Sequence, residues 1–362
     1  MLPQSRPIER IKSAMKSEKV YVIVLNYNGW RDTLECLESL SRIDYPNLQI
    51  VVVDNASSDG SVEQIQAWAS GTVAAAVQNP ALARLSTPAC PKEVPLLLLT
   101  PEELQQAMPA QQALPKIVLI KSAQNGGYAA GNNLGMRLAM SDPDCAYLWL
   151  LNNDTVVESD ALSQLVARVE SDPAIGICGS TLVHYHEPST IQACGGARFN
   201  RWTATSVHVG EGGAFPFPPD GAGARAGDAQ ALDYIVGASM FVTRGFVEHA
   251  GLMFEDYFLY FEEIDWAWRR GRFIVAYAPR SVVYHKEGAT TGMSKKIVQY
   301  GKGGDFYLHR NRLVFARRNF PLGLPTVVLR LLVVAMKSVQ ASRWGRARMF
   351  LSPRFWFGTG KI

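Results

Sequence analysis

The sequence has few cysteines, and none of them stand in a pairing pattern. The five cysteines are scattered among 362 residues and never occur in CxxC spacing. An even set of closely spaced cysteines would indicate a disulfide framework or a zinc site, so neither is expected. This absence favours a reducing compartment, and we expect a cytoplasmic protein.

Long apolar runs without charge are also missing. The first 19 residues hold no apolar core of signal-peptide length, and no uncharged apolar stretch of 18 residues occurs elsewhere. We therefore expect a chain that is neither exported nor membrane-spanning. The formal net charge is only +4, but many Lys and Arg residues and very few acids follow residue 295. Such asymmetry suits an anionic surface or ligand near the C-terminus.

The chain has enough apolar residues for one large core. Hydrophobic residues make up 48% and charged residues 19%, which excludes a disordered chain. With 30 Gly and 20 Pro, the composition indicates a loop-rich α/β protein rather than a helical bundle. At this length, one large domain or a domain with an appendage is expected.

Short apolar runs alternate with helical patterns along the chain. The predicted strands are 20–25, 49–53, 116–121 and 146–151, and the predicted helices include 34–43, 131–140 and 161–170. This order predicts a parallel sheet with ligand-binding loops at its carboxyl edge. Residues 71–115 break the pattern and are interpreted as an inserted lobe or mobile loop, and residues 195–227 as an irregular loop or hairpin region.

Asn152, Asn153 and Asp154 form the strongest single motif. They come directly after the buried run AYLWLL. Mg²⁺ and Mn²⁺ prefer oxygen ligands and share them with substrate phosphates, so an acidic residue at a strand's carboxyl end suits a metal that bridges two phosphates. Asn-Asn-Asp also forms turns readily. Taken alone, the motif leaves both interpretations open.

Five ordered motifs resemble those of the bacterial family 2 glycosyltransferases, most closely the rhamnosyltransferase-like branch. They are VYVIVLNYNGW, VVVDNASSDGS, NGGYAAGNNLG, WLLNND and YFLYFEEIDWAWR. The resemblance covers residues 20–321 apart from the insertion. It implies a GT-A fold, which is a Rossmann-like α/β domain with a mostly parallel sheet flanked by helices. It also implies an enzyme that moves a sugar from a nucleotide-diphosphate donor.

The resemblance implies a set of donor-binding residues. Tyr27 would lie against the nucleobase, and Asp54 would accept the imide N–H of uracil or thymine, a donor that a carboxylate can bind. Without the other motifs, Asp54 would be interpreted as a helix cap. Asn132 stands where the family often has arginine, so that contact would be weak or absent. The other implied donor-binding residues are Asn125, Asn133, Asn152, Asn153 and Gly237.

Asp154 and His285 are the metal ligands that the resemblance implies. His285 follows a β-branched run in a glycine-rich loop, and the family often has a histidine here that approaches the diphosphate. A lone histidine is more often structural. We expect Mg²⁺ or Mn²⁺ as the cofactor.

Three carboxylates, Glu262, Glu263 and Asp265, stand in the aromatic-rich stretch 256–269. Burial among aromatic rings would raise a carboxyl pKa and make the group a better base for an acceptor hydroxyl. Glu263 stands at the position of the family's usual Asp, so it is the first choice for the base, with Glu262 and Asp265 as alternatives. A helix with a solvated acidic face is the other interpretation. A single base motif predicts inversion at the sugar.

The C-terminal region begins with a stretch, 305–321, in which the Arg310-Asn311 pair again resembles the rhamnosyltransferase-like branch. Residues 321–351 then alternate apolar runs with basic residues. This segment is too charged to span a membrane but suits a helix at an anionic membrane interface. A helix that packs on the catalytic domain or on a second subunit is the other interpretation.

The sequence thus predicts a tail (1–18), a GT-A catalytic domain (19–292, with the insertion 71–115) and a C-terminal helical region (293–362). The expected partners are a nucleotide-sugar donor, either dTDP- or UDP-linked, and a saccharide or lipid-linked acceptor in cell-surface polysaccharide or glycolipid synthesis. Peripheral contact with the inner face of the cytoplasmic membrane fits the C-terminal region, and a homo-oligomer is left open. No feature indicates nucleic-acid binding.

Two other functions compete with this prediction. A binding protein that keeps the donor pocket but has lost turnover fits the departures at Asn132, Asn152 and Glu263. A nucleotidyltransferase would show a glycine-rich loop with Arg and Lys after the first strand, and LNYNGW has neither.

Overall fold

The computed structural model describes residues 17–107, 114–217, 232–287 and 302–358. The predicted tail, apart from its last two residues, and the predicted boundary at residue 292 lie outside these ranges. All structural statements below concern the described residues.

Thirteen strands form two sheets within the described ranges. In chain order they are β1 (Lys19–Asn26), β2 (Leu48–Asp54), β3 (Leu96–Leu99), β4 (Ile117–Lys121), β5 (Cys145–Asn152), β6 (Thr155–Val157), β7 (Ile175–His184), β8 (Ile191–Cys194), β9 (Gly196–Asn200), β10 (Thr205–His208), β11 (Tyr234–Ile235), β12 (Ser239–Thr243) and β13 (Ile274–His285).

The helices of the described residues flank the larger sheet and follow it at the C-terminus. They are α1 (Trp30–Leu40), α2 (Ser61–Ser70), α3 (Pro101–Ala107), α4 (Gly127–Ser141), α5 (Ala161–Glu170), α6 (Arg244–Ala250), α7 (Glu262–Trp268), α8 (Lys302–Asn319), α9 (Leu324–Gln340), α10 (Trp344–Met349) and α11 (Pro353–Phe357).

The larger sheet has the strand order β3-β4-β2-β1-β5-β12-β7-β13-β6, with β8 added beside β7. Strands β3, β4, β2, β1 and β5 are parallel, whereas β12 pairs antiparallel with both β5 and β7. Strand β1 pairs with β2 on one side and with β5 on the other, so the order of strands reverses at β1. Loops at the carboxyl ends of such strands form a crevice, which is where ligands bind in sheets of this type. The predicted mostly parallel α/β architecture with C-terminal helices is confirmed.

Burial on both faces explains why the central strands are continuous apolar runs. Along β1, Tyr21 and Ile23 enter one core cluster, and Val22 and Val24 enter the other. Helix α4 covers the first face, where Gly135 lies directly against Ile23. Helices α1, α2 and α5 cover the second face.

The predicted insertion is partly regular. Its residues 96–99 form β3, which pairs parallel with β4 in the register Leu96 to Ile117, and α3 follows. A mobile loop is therefore the wrong interpretation for this part, because the apolar run LLLL extends the sheet. The hairpin interpretation of residues 195–227 is confirmed for β9 and β10, which pair antiparallel.

The C-terminal helices begin against the catalytic domain and end in an exposed apolar face. Val327 and Leu331 of α9 are buried, whereas Leu329, Leu332 and Met336 are exposed. The segment Pro321–Gln340 is long and apolar enough to cross a membrane by length and composition alone, and most of it is not buried inside the protein. Arg330 and Lys337, on which the sequence-based expectation of no span depends, lie within it.

Candidate active site

Hydrogen bonds tie together the carboxyl ends of β1, β2 and β5. The Asn26 Nδ2 donates to Asp54 Oδ1 at 2.7 Å, and the Asn153 Nδ2 donates to Asn26 Oδ1 at 3.2 Å. The same Asn153 amide donates to the Gly29 carbonyl and to the Thr33 hydroxyl at the start of α1. The three loops predicted to hold the donor therefore form one connected wall.

Tyr27 and Asp54 lie in this wall with different exposure. Tyr27 is 36% exposed. Asp54 is almost fully buried, and its Oδ2 accepts the Ser57 backbone N–H at 3.0 Å. Each carboxylate oxygen thus already has one partner, and a nucleobase N–H would use a remaining lone pair.

The structure uses three of the predicted donor-binding asparagines to hold loops. The Asn125 Oδ1 accepts the backbone N–H of Gly127, the first residue of α4. The same oxygen accepts a hydrogen bond from the Asn55 side-chain amide. The Asn133 Nδ2 donates to the Met253 carbonyl and to Glu255 Oε1, and the Asn133 Oδ1 accepts the Met253 backbone N–H. Together with the Asn153 amide described above, these groups are committed to the protein. Donor contact by Asn125, Asn133 and Asn153 stays a prediction, and it would have to use the hydrogen-bonding positions that these contacts leave free.

Asn152 and Gly237 both lie at the junction of β5 and β12. The Asn152 backbone N–H donates to the Ala238 carbonyl at 3.0 Å. A Cβ on Gly237 would lie 3.2 Å from the Tyr128 hydroxyl, which itself donates to the Gly237 carbonyl at 2.6 Å. The segment around Gly237, an implied donor-binding residue, is therefore held by Tyr128, a residue that the sequence analysis did not single out.

The start of α4 requires glycine at one position. Gly127 has φ +87°, and a Cβ there would stand 2.1 Å from the Phe258 carbonyl oxygen. The next residue, Tyr128, donates its backbone N–H to that same carbonyl at 2.7 Å. The glycine lets α4 contact the loop that precedes the predicted base.

Asp154 and His285 lie side by side, as the metal hypothesis requires. The His285 Nε2 is 3.2 Å from Asp154 Oδ1, and the His285 Nδ1 lies 2.9 Å from the Gln192 Oε1. Burial alone would raise the pKa of Asp154, but His285 and Lys286 outweigh it, and the net pKa is below the ordinary carboxyl value. Burial alone would lower the pKa of His285, and Asp154 raises it above the ordinary value.

The Asp154 and His285 pair fits a divalent cation. Two ligands at about 2.1 Å from one octahedral ion stand about 3.0 Å apart when they are adjacent, close to the observed separation. The Gln192 oxygen fixes the imidazole so that Nε2 faces Asp154, an arrangement typical of metal-binding histidines. The described residues contain no group of three or more His, Cys, Asp or Glu side chains suited to a metal. A cation here would take its other ligands from water and from substrate phosphate.

Asp265 is a structural carboxylate, which corrects its place among the candidate bases. It is fully buried, and its oxygens accept from Arg269 at 2.9 Å, Arg318 at 3.1 Å and Asn319 at 2.7 Å. The Tyr257 hydroxyl also donates to it at 3.2 Å. Four side chains of the protein thus donate to this one carboxylate.

Glu262 and Glu263 remain as the two candidate bases, in the first turn of α7. One carboxylate oxygen of each is buried and has no hydrogen-bond partner among the described residues. Burial raises the pKa of Glu263 to about 7, and burial together with the Glu263 charge raises the pKa of Glu262 well above its ordinary value. Tyr128 and Tyr234 lie close enough for the Glu263 charge to raise their own pKa values, after the larger effect of burial.

The sequence places the chain in a known family. The family model described as Glycosyl transferase family 2 matches residues 21–80 and 99–226, just over half of the chain. The chain belongs to glycosyltransferase family 2. The matched residues include the donor-side loops and Asp154 and end before Glu262. The gap between the two matched parts falls inside the insertion predicted at 71–115.

Several solved glycosyltransferases have a similar fold at low sequence identity. A mannosyltransferase from Pyrobaculum calidifontis, solved with GDP-Man and Mn²⁺, is 15% identical with a TM-score of 0.47, covering 93% of this chain and 82% of its own. S. aureus TarS 1-349 with UDP-GlcNAc is 12% identical with a TM-score of 0.47, covering 86% and 72%. GalNAc-T7 with UDP, GalNAc and Mn²⁺ is 14% identical with a TM-score of 0.46, covering 74% and 44%. Similarity at this level says nothing about donor, metal or acceptor. No curated protein sequence matches the chain.

In this glycosyltransferase, Lys286 is a site residue that the sequence analysis missed. Its Nζ is 2.6 Å from Asp32 Oδ1 and 2.7 Å from Glu35 Oε2, and its backbone N–H donates to the Asp154 carbonyl at 2.9 Å. The Tyr185 hydroxyl donates to the other Glu35 oxygen at 2.6 Å. This buried network fixes the end of β13 and places a positive charge beside Asp154. Adjacency to His285 was the only signal in the sequence.

A groove of about 930 Å³ lies beside α7, and none of the predicted donor residues line it. It is lined by arginines and tryptophans from β9, its following turn and α7: Arg198, Arg201, Trp202, Ile264, Trp268 and Arg270. Asp233 is the one acid among its lining residues. The groove is therefore basic and aromatic, which suits a ligand that combines negative charge with flat apolar faces.

Proposed function

We propose that this protein is an inverting, metal-dependent glycosyltransferase that uses a uridine or thymidine diphosphate sugar. The observation that carries the proposal is the position of Tyr128. Its hydroxyl bonds the Gly237 carbonyl on the donor side, and its backbone N–H bonds the loop that leads into Glu262 and Glu263. The Gly237 segment and the candidate base are thereby linked through one half-buried residue.

Glu263 is the proposed base. A pKa of about 7 leaves a substantial part of its carboxylate ionised at neutral pH and still basic enough to take a proton. Burial and the Glu263 charge raise the pKa of Glu262 well above its ordinary value, which favours its protonated form, and Asp265 is held by guanidinium groups. Glu263 takes the acceptor hydroxyl proton, the acceptor oxygen bonds to the anomeric carbon, and the bond from that carbon to the diphosphate oxygen breaks. One displacement inverts the configuration.

Asp154 and His285 would hold the divalent cation, with Lys286 adding positive charge next to them. When bound, Mg²⁺ or Mn²⁺ supplies charge neutralisation for the departing diphosphate. Asp54 and Tyr27 would bind the nucleobase, and Asn152 a ribose hydroxyl. Since uracil and thymine present the same imide edge to Asp54, both nucleotide classes remain in the proposal.

The basic, aromatic groove is the proposed acceptor site. Trp202 is 46% exposed and offers an apolar face for a sugar ring, while the arginines suit a phosphate or carboxylate on the acceptor. The groove adjoins the C-terminal helices, because the Trp202 and Phe320 rings contact edge to face and the Thr326 hydroxyl donates to the Trp202 carbonyl. An acceptor linked to a membrane lipid through phosphate would enter from that side.

Peripheral binding to an anionic cytoplasmic membrane surface is part of the proposal. The exposed apolar face of α9, with Leu329, Leu332 and Met336, would enter the interface, while nearby basic residues would contact lipid phosphates.

We expect the protein to float with phosphatidylglycerol vesicles at low salt and to bind less as salt rises. A triple variant with serine at Leu329, Leu332 and Met336 should lose this binding, whereas the control variant Leu97→Ser, at an exposed position on β3, should keep it. Equal flotation of both variants would contradict the membrane proposal.

The test of the function is release of nucleoside diphosphate from a panel of nucleotide sugars with Mn²⁺. Membership of glycosyltransferase family 2 argues against the nucleotidyltransferase alternative. A binding protein without turnover would bind one donor and release no product.

A further inference from the structure

The loop that precedes the proposed base is held in an unfavourable backbone conformation. Phe258, Tyr260 and Phe261 have φ values of +65°, +68° and +81°, and none of them is glycine. Side chains with a Cβ rarely adopt this region, and such residues persist only where surrounding contacts hold them. Three of them directly before Glu262 require a specific restraint on residues 256–261.

Asn311 of α8 supplies one such restraint. Its side chain is fully buried, and its Nδ2 donates to the carbonyl oxygens of Tyr257 at 2.9 Å, Leu259 at 2.8 Å and Tyr260 at 2.8 Å. Three carbonyls of one short loop therefore converge on a single amide group. Only a side chain with a donor at this position can satisfy them.

Arg310 orients that amide and extends the contact. Its Nε and Nη2 donate to the Asn311 Oδ1 at 2.9 and 2.7 Å, which fixes the amide with its NH₂ toward the loop. The Arg310 Nη2 also donates to the Asp256 and Tyr257 carbonyls at 2.9 Å each. A guanidinium group buried to this degree is expensive to hold away from water, so these bonds have to compensate for its lost hydration.

The restrained loop leads directly to the groups that would react. The Phe261 carbonyl accepts the Asp265 N–H at 2.8 Å and starts α7, whose first turn holds Glu262 and Glu263. The Phe258 carbonyl accepts the Tyr128 N–H, and Tyr128 in turn bonds Gly237. A movement of residues 256–261 would therefore shift both the carboxylate pair and the Gly237 segment.

We propose that Arg310 and Asn311 are positioning residues that hold loop 256–261 so that Glu263 faces the acceptor hydroxyl. This rests on the proposed function, and it gives the C-terminal region a part in the reaction without any contact to substrate. The proposal also explains why the pair lies on α8, outside the sheet, with its side chains fully inside the protein.

The test compares Asn311→Leu, which removes the amide at similar volume, with His309→Leu on the same helix. His309 is also buried, but its described contacts are with Asp305 and the Phe350 ring, away from the loop. Amide hydrogen exchange across 256–263 is the first readout and needs no substrate. Nucleoside diphosphate release as a function of pH and donor concentration is the second.

We expect Asn311→Leu to lose exchange protection in 256–263, to lower kcat about 10²-fold with little change in donor KM, and to shift the pH midpoint of kcat. His309→Leu should keep the wild-type exchange protection, kcat and pH midpoint. Its melting temperature should be lower than that of the wild type. Unchanged protection in Asn311→Leu, or a kcat and pH profile equal to those of His309→Leu, would overturn the proposal. If the wild type releases no product, the proposed function fails, while the exchange result still decides whether Asn311 holds the loop.

Discussion

Glu263→Gln is expected to lower kcat for sugar transfer by about 10²–10⁴-fold, the range typical for loss of a general base. Gln keeps the size of the side chain but cannot accept the acceptor proton. Donor affinity should change little, because the donor contacts proposed here come from other loops. The measurement is steady-state transfer together with titration of the nucleoside diphosphate. Glu170→Gln, at an exposed helix end, is the matched control.

The wild-type rate should also rise with pH through about 7, where Glu263 loses its proton. Glu263→Gln should remove this rise, while Glu170→Gln should retain it. A Gln variant with normal kcat, or a rate that is flat between pH 5.5 and 8, would show that Glu263 is not the base.

Glu263→Gln should also stabilise the protein at neutral pH. The folded state holds the Glu263 proton up to about pH 7, whereas the unfolded chain releases it near 4.5. The contribution of Glu263 to the free energy of unfolding therefore falls as pH rises from about 4.5 to about 7 and is constant above. Allowing for partial exposure of Glu263, the loss is about 1–2 kcal/mol. Glu263→Gln should not show it and should melt a few degrees higher at pH 8.

Asp154→Asn is expected to abolish the effect of Mn²⁺ on nucleoside diphosphate binding. Mutation of outer partners of metal ligands already costs about 10–100-fold in metal affinity, so loss of a ligand carboxylate should cost at least as much. Calorimetric titration of UDP and dTDP, each with Mn²⁺ or with EDTA, measures the effect. Wild-type affinity should be much higher with Mn²⁺, and the variant should bind equally weakly under both conditions.

Asp144→Asn is the matched control for this variant. Asp144 is exposed and directly precedes β5, whereas Asp154 follows the other end of that strand. It should show the full effect of Mn²⁺. A metal effect that survives in Asp154→Asn, with His285 intact, would place the cation elsewhere.

Most of the sheet could be predicted from the sequence, because buried parallel strands are continuous apolar runs. Helix α5 was predicted at its observed bounds, and β1 and β5 within one residue at each end. Strand β3 was missed because LLLL stands among prolines and alanines in a segment interpreted as an insertion. Pairing with β4, a long-range contact, decides its conformation, and local pattern does not report such contacts.

The candidate site was predictable in its charged groups and less so in its amides. Asp154 with His285, and Glu262 with Glu263, come together as their motifs indicate. Asn133 and Asp265 match motif positions equally well, but each is hydrogen-bonded within the protein. Their partners, Met253 and Arg318, are distant in the sequence, so the motifs do not reveal these contacts. Tyr128 and Lys286 were missed because a tyrosine or lysine beside a motif has no pattern of its own. Their roles follow from tertiary contacts alone.

The central claim is sugar transfer from a nucleotide sugar, and release of nucleoside diphosphate tests it most directly. The purified protein, with anionic vesicles, Mn²⁺ and a panel of saccharide and lipid-linked saccharide acceptors, is incubated with UDP-, dTDP- and GDP-sugars, and the free diphosphate is quantified against a reaction with EDTA. The account predicts release from a uridine or thymidine donor, dependent on metal and lost in Glu263→Gln. Release from none of the donors, or equal release by Glu263→Gln, would contradict it.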